Sequence, residues 1–230
     1  MVEVLVSTAL GTIVVLNVFE LYSSSQNTVL GQTNAVQMQT YANTAMNSMT
    51  KELRLMHGTP TISTTTALND TISFTRIQDS GYSSGGNTVL RLHDSSKSWP
   101  VNAFAPGSFG SYSVAIVSGT GAGQTHPILR NSASVLTLSD TGWTVIPDNT
   151  SLYYIILNKT FELQPDNTLR VQIGNGPFNI MAANVTSLAF SQPDPSAVTI
   201  ALTTQTQTVD PRTGTYLSYS LTDTARRRDN

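Results

Sequence analysis

Cysteine is absent from this chain of 230 residues, and charged residues are scarce. The lack of cysteine excludes disulfides, thiolate metal sites and cysteine nucleophiles. Charged residues make up 11% of the chain, less than half the usual share. A net charge of −2 gives no electrostatic basis for nucleic-acid binding, so no nucleic-acid partner is expected.

Hydroxyl side chains replace the missing charges. The chain has 26 Ser and 33 Thr, together about a quarter of its residues. Such a surface is soluble through neutral polar groups and suits a protein that faces the outside of a cell. Its low charge also favours close packing of many identical subunits, because like charges repel.

The start of the chain is almost free of charge. The first 50 residues contain two charged side chains, Glu3 and Glu20, and residues 4–19 contain none. As a helix these 16 residues would span about 24 Å, slightly less than a bilayer core. A secretory signal begins with basic residues, whereas the first basic residue here is Lys51. We therefore expect a membrane anchor over residues 1–22.

An amphipathic pattern follows the anchor. Apolar residues recur at helical spacing, which predicts a stripe that packs on a domain. The stripe consists of Met38, Ala42, Ala45, Met49, Leu53 and Met56. Residues 58–60 (Gly-Thr-Pro) then supply a stop signal. One helix is predicted over residues 1–57, with 1–22 apolar on nearly all faces and 23–57 amphipathic.

Short β-type runs separated by turn signals fill residues 58–230. No strand alternates with a helical stretch, so a parallel βαβ sheet is not expected. The predicted strands are 71–77, 88–93, 112–117, 135–138, 152–157, 160–164, 169–173, 185–191, 198–203 and 216–221. The fold class is therefore α+β, with one long helix packed on an antiparallel sheet domain. A β-rich insertion is expected at 106–155.

Three segments resemble the type IV pilin and pseudopilin family. Residues 1–10 (Met-Val-Glu-Val-Leu-Val-Ser-Thr-Ala-Leu) resemble the start of a mature pilin, where one early glutamate lies in an apolar run. Residues 49–55 are similar to the larger minor pilins and J-type pseudopilins, and so is the C-terminal part of the chain at residues 184–190, 198–202 and 226–230. Two features differ from the family: two more residues usually precede the glutamate, and many members have a C-terminal cysteine pair.

The resemblance implies a filament subunit. A prepilin peptidase would remove a short leader, and the inner-membrane assembly machinery would move the anchored subunit into a filament of its own copies. Glu3 would pair with the terminal nitrogen of Met1 in an adjacent subunit and so fix the axial register. The alternative is that Glu3 lies among lipid headgroups. Gly11 either marks a stretch that loses helical hydrogen bonds on assembly or merely allows close packing.

Catalytic patterns are present but lack their structural context. Residues 81–85 match G-x-S-x-G, yet no helix is predicted after them, so a hairpin loop is expected. Residues 119–123 (Gly-Thr-Gly-Ala-Gly) lack the Lys-Ser/Thr of a phosphate loop. His57, His93 and His126 lie on separate segments without ligand spacing. We expect no enzyme activity, no cofactor and no metal site.

Four asparagines begin Asn-x-Ser/Thr triplets, the acceptor pattern for glycosylation: Asn69, Asn149, Asn158 and Asn184. Composition alone produces such triplets in a chain rich in Asn and Thr. Glycosylation and an unmodified neutral surface are therefore both open interpretations.

The sequence favours a structural subunit of a type IV pilus-like filament on a bacterial cell surface, serving adhesion or motility. Two alternatives are open. The first is a minor pilin or a type II secretion pseudopilin at a filament tip. The second, from another class, is a membrane-anchored surface binding module that does not polymerise.

Overall fold

The computed structural model describes residues 2–66, 69–107, 111–211 and 213–227. One helix, α1 (Val2–Leu53), precedes all the strands. The strands are β1 (Met56–Thr66), β2 (Asn69–Tyr82), β3 (Arg91–His93), β4 (Ser113–Ser118), β5 (Thr125–Asn131), β6 (Val135–Leu138), β7 (Leu152–Leu163), β8 (Leu169–Ile173), β9 (Phe178–Ala182), β10 (Val185–Asp194), β11 (Ala197–Gln205) and β12 (Ser218–Arg226). This order confirms the α+β class.

Helix α1 ends at Leu53, earlier than the predicted end at residue 57. The N–H of Leu55 bonds the Glu52 carbonyl in a tighter turn, and the chain then enters β1. Gly58 has φ of +72°, a conformation that a helix cannot contain. The assignment of Met56 to the helical stripe is therefore wrong, because Met56 is the first residue of β1.

The strands form one large sheet that is almost entirely antiparallel. Its main path runs β12-β11-β10-β2-β7-β4-β5-β6-β3, with β1 beside β2 and with β8 and β9 beside β7. The exception to the antiparallel pattern is a short parallel contact between β10 and β2, where Leu188 pairs with Asn69. The predicted antiparallel sheet is thereby confirmed.

Several strands differ from their predicted extents. The predicted strands 152–157 and 160–164 form a single strand, β7, because Asn158 and Lys159 continue the ladder instead of turning. Strands β1, β5 and β9 were not predicted. The sequence of β1 contains Gly58 and Pro60 and has little apolar alternation, and its partner β2 supplies the pairing that its own pattern does not predict.

Two hydrophobic clusters lie along this sheet. The first joins the packed part of α1 to β2, β7, β8, β10, β11 and β12. The second contains no residue of α1 and combines strand and loop residues: Leu92, Trp99, Phe104, Val114, Ile116, Ile128, Leu136, Leu138, Trp143, Tyr153 and Ile155. Strand β7 contributes to both, with Ile155 in the second cluster and Phe161 in the first. The second cluster also uses residues that precede the predicted insertion at 106–155.

Candidate assembly surface

The first half of α1, residues 2–26, carries a large exposed apolar surface. Every side chain from residue 6 to residue 26 is exposed. Eleven large apolar side chains in this half are between 53% and 74% exposed: Val2, Val6, Leu10, Ile13, Val14, Val15, Leu16, Val18, Phe19, Leu21 and Tyr22. Monomeric soluble proteins rarely expose continuous apolar patches of this size. We therefore expect lipid or another protein to cover this surface.

Among the described residues, α1 is the one helix long and apolar enough to cross a membrane. Its most apolar window has a mean hydropathy of 1.4, and none of that window is buried. A signal sequence near the chain start would pass the same test. The helix therefore has the length and composition of a membrane span, and the anchor over residues 1–22 stays a prediction.

Glu3 lies in the first turn of α1 and its side chain is exposed. The exposed amide groups at a helix N-terminus stabilise a carboxylate there. The next charged residue along the helix is Glu20, so Glu3 is an isolated charge at one end of the apolar surface. Its expected partner Met1 lies outside the described residues.

Small residues follow Glu3 on the same half of the helix. Ser7, Thr8, Gly11 and Thr12 provide two pairs of small side chains four residues apart, a pattern that lets neighbouring helices approach closely. A Cβ added at Gly11 would have nothing within 4 Å. The Thr12 hydroxyl donates to the Thr8 carbonyl at 2.8 Å, so its polar group is satisfied within the helix. This face can pack against a second helix.

The second half of α1, residues 27–53, packs on the sheet domain. Its predicted stripe residues Met38, Ala42, Ala45, Met49 and Leu53 are all buried, and Met56 joins the same cluster from β1. Met46, which the stripe did not include, is also buried. The helix contacts β12, β11, β9 and β2.

Apolar exposure continues on the outer side of this second half. Val29, Leu30, Val36 and Tyr41 are between 52% and 61% exposed, although the sequence predicted an amphipathic helix with polar outer faces. These four residues lie on the same helix as the apolar surface of residues 2–26. The candidate assembly surface therefore extends along α1 to Tyr41.

A charged cluster holds the end of α1 against the sheet. Glu52 Oε2 lies 2.9 Å from Lys159 Nζ and 3.1 Å from Arg76 Nη1. The Lys159 side chain, on β7, is only 8% exposed. Two residues before Glu52, the Thr50 hydroxyl donates to Asp223 Oδ2 on β12 at 2.9 Å. Sequence patterns do not predict this cluster, because its three charges are distant in the chain.

The four candidate glycosylation asparagines occupy different environments. Asn149 is exposed in the turn before β7, and Asn158 is exposed in the middle of β7, where it accepts a hydrogen bond from Thr75. Asn184 is half-buried between β9 and β10 with φ of +61°. Asn69 begins β2, and its side chain lies outside the described part. Asn149 and Asn158 are therefore the exposed residues among the three described side chains.

The serine of the G-x-S-x-G pattern is engaged in local structure. Ser83 is 2% exposed, and its Oγ accepts a hydrogen bond from Asn87 Nδ2 at 2.6 Å. The same hydroxyl donates to the His93 carbonyl at 3.3 Å. The chain continues from here into a loop and the short strand β3, as expected for a hairpin loop. This geometry fixes the loop and leaves the serine without access to substrate.

One histidine forms a pair that the sequence analysis did not find. His126 Nδ1 lies 2.8 Å from Asp140 Oδ2, and the imidazole ring packs edge-on against Trp143. Burial raises the pKa of Asp140, but the hydrogen bonds from His126 and the Gly142 N–H outweigh it and lower that pKa overall. Within the described ranges, no group of three or more potential metal ligands comes together.

Comparison with protein-family models, curated proteins and solved structures found no match.

Proposed function

We propose that this chain is a structural subunit of a type IV pilus-like surface filament, anchored in the membrane before assembly and held in the filament core by α1. The observation that carries the proposal is the contrast within one helix, where residues 6–26 expose apolar side chains on every face while residues 27–53 pack on a β domain. Lipid and neighbouring helices are two environments that satisfy such a surface.

Glu3 is the residue that would set the register of assembly. A carboxylate in a hydrocarbon environment costs about 2.5–3.5 kcal/mol even by insertion measurements, so it requires a partner or an interfacial position. Pairing with the terminal amine of Met1 in an adjacent subunit would supply that partner. A helix in any other register would bury its charge alone, which penalises misassembly.

The remaining partners follow from this role. The subunit would be processed by a prepilin peptidase and assembled by inner-membrane pilus machinery, and the filament would extend from a bacterial cell surface. The β domain would cover the helical core and provide the contacts for adhesion or motility. Its neutral, hydroxyl-rich composition favours dense packing of identical copies.

The test compares Glu3→Ala with Glu20→Ala in cells that make the filament. Sheared surface material is examined by electron microscopy, and the subunit in that material and in the membrane fraction is quantified by mass spectrometry. We expect Glu3→Ala to lower the filament yield at least tenfold while the membrane pool persists, and Glu20→Ala to leave the yield near normal. Normal yield from Glu3→Ala would contradict the register role.

The same measurement distinguishes the alternatives. Native fibres that contain the chain only in traces would indicate a minor pilin or tip pseudopilin, to which the likeness of residues 49–55 and 184–230 points. An abundant membrane-bound chain without any fibres would indicate an anchored binding module that does not polymerise. A fibre composed mainly of this chain would support the proposal.

A further inference from the structure

Two arginines lie in one row across the outer face of the sheet where β3, β6 and β5 are neighbours. Thr137 of β6 pairs with Arg91 of β3 on one side and with Arg130 of β5 on the other. Directly opposite residues of antiparallel strands project from the same face, with their Cα atoms about 5 Å apart. The two arginine Cα atoms are therefore about 10 Å apart, with Thr137 between them.

A bulge in β5 places Arg130 on this face. The pairing of β5 with β6 shifts between Ile128 and Arg130. Ile128 is fully buried, so regular alternation would also turn Arg130, two residues later, toward the core. The extra residue Leu129 reverses this order, and Arg130 is exposed while Asn131 is buried. Bulges are frequent beside functional sites, where they re-aim a side chain.

The row borders a cleft of about 400 Å³, and Val101 and Asn102 line the same cleft. Asn131 holds the segment that carries these two residues. Its Nδ2 donates to the Pro100 carbonyl at 2.8 Å, and its Oδ1 accepts a hydrogen bond from the Phe104 N–H at 2.9 Å. Asn131 is only 3% exposed, so its hydrogen bonds fix this segment beside β5. The cleft is therefore already formed in the unliganded chain.

The lining of the cleft is positively charged. Arg91 and Arg130 are the only charged residues among the described residues that line it. Neither guanidinium group forms an ion pair or a hydrogen bond with another described residue. The carboxylates nearest in sequence are engaged elsewhere, because Asp94 accepts a hydrogen bond from a buried tyrosine and Asp140 pairs with His126. The cleft therefore attracts an anion.

We propose that this cleft binds a phosphate group, held between Arg91 and Arg130 above Thr137. Guanidinium groups bind phosphate oxygens through paired hydrogen bonds. A phosphate has more acceptor oxygens than a carboxylate, so it can bond two guanidinium groups on opposite sides and the Thr137 hydroxyl between them. The cleft volume falls within the range of about 300–1,000 Å³ typical of ligand pockets, so a phosphate ester fits as well as the free ion. The proposal does not depend on filament formation.

The test is isothermal titration calorimetry on the full chain in nonionic detergent micelles at low ionic strength. The probes are inorganic phosphate, glycerol 3-phosphate and acetate. We expect both phosphates to bind and acetate to bind about tenfold more weakly or less, because it offers fewer acceptor oxygens and less charge. Tighter binding of glycerol 3-phosphate would identify esterified phosphate as the ligand, and tighter binding of inorganic phosphate would identify the free ion.

Substitutions test the two arginines. Arg91→Gln and Arg130→Gln should each weaken phosphate binding about tenfold or more, because each removes hydrogen bonds to a charged group. Arg226→Gln is the matched control, since its side chain is 75% exposed and it is not among the residues that line the cleft. Circular dichroism of each variant checks that the fold is retained. If a glutamine variant disturbs the fold, the corresponding lysine variant keeps the charge, and its loss of paired hydrogen bonding should still weaken binding.

Three results would overturn the proposal. The first is the absence of measurable binding of either phosphate to the unmodified chain. The second is undiminished binding in folded Arg91→Gln and Arg130→Gln variants, or an equal loss in Arg226→Gln. The third is acetate binding as tightly as the phosphates, which would show a general attraction of anions without selection of a phosphate group.

Discussion

The two halves of α1 differ in surroundings far more than in chemistry. Residues 2–26 and residues 27–53 belong to one unbroken helix, and each half has two charged side chains. From residue 6 to residue 26 every side chain is exposed, whereas Ala42, Met49 and Leu53 are fully buried. Apolar composition alone therefore does not decide which half is covered.

The difference shows what each half requires. The packed half gains its free energy inside one chain, because β9, β11 and β12 cover its apolar stripe. The exposed half, about 38 Å long, can gain a comparable free energy only from lipid or from other chains. A substitution in the packed half should therefore alter the stability of the monomer, and one in the exposed half should alter assembly.

The largest expected effect comes from a matched leucine pair. Leu53→Ala should lower the free energy of unfolding by about 2–5 kcal/mol, because it leaves a cavity at a fully buried position. Leu16→Ala, at a side chain 57% exposed, should change it by less than about 0.5 kcal/mol. Urea unfolding in the same micelles, followed by circular dichroism, measures both. Equal losses would show that the halves are not independent.

A second pair compares carboxylates. Glu52→Ala should destabilise the monomer by about 2 kcal/mol, because it leaves Lys159 and Arg76 without their shared counter-charge. This figure is lower than for a fully buried pair because Glu52 is 20% exposed. Glu20→Ala should have almost no effect in the same urea experiment. If the Glu20 variant unfolds as readily as the Glu52 variant, the exposed half of α1 also contributes to the stability of the monomer, contrary to our conclusion.

Glycines provide a smaller effect. Gly11→Ala and Gly31→Ala should each stabilise the helix by about 0.5–1 kcal/mol, because neither added Cβ meets a neighbour closer than 4.0 Å. Amide hydrogen exchange around each position measures this gain. If the Gly11 stretch loses helical hydrogen bonds on assembly, Gly11→Ala should also lower filament yield, whereas Gly31→Ala should not. Equal yields would leave Gly11 with a packing role alone.

The smallest expected effect lies in the early part of the packed half, at Asn34. Asn34 Nδ2 donates to Thr208 Oγ1 at 3.1 Å, an exposed link between α1 and the loop after β11. Asn34→Ala should cost about 0.5 kcal/mol and should speed amide exchange in that loop. Asn43→Ala, at an exposed position of the same helix, is the control. Unchanged amide exchange in the Asn34 variant would show that the packing of α1 on the sheet domain begins further along the helix than Asn34.

Local patterns predicted part of this fold well. The predicted strands 135–138 and 169–173 coincide with β6 and β8, because each is a short apolar run bounded by turn residues. Met56 was misassigned because its spacing fits the stripe, whereas Gly58 and the pairing with Arg76 place it in a strand. Strand β1 was missed because its pairing depends on β2 and not on its own pattern.

The candidate assembly surface also has features that the sequence predicts and features that it does not. The exposed apolar half and the isolated Glu3 can be identified from the sequence, since both depend on which residues are consecutive. The Glu52–Lys159–Arg76 cluster cannot. It brings together residues more than 20 positions apart, and only the strand pairing places them side by side.

The sequence by itself determined that residues 4–19 would need surroundings other than water. A run of sixteen uncharged and mostly apolar residues is unfavourable in water as a helix exposed on all faces, because it leaves apolar surface in contact with water. Only the tertiary structure decided that the second half of α1 would be covered by β11 and β12, and that Lys159 would lie inside against Glu52. Burial is a property of contacts between distant segments, and those contacts form only when the whole sheet is paired.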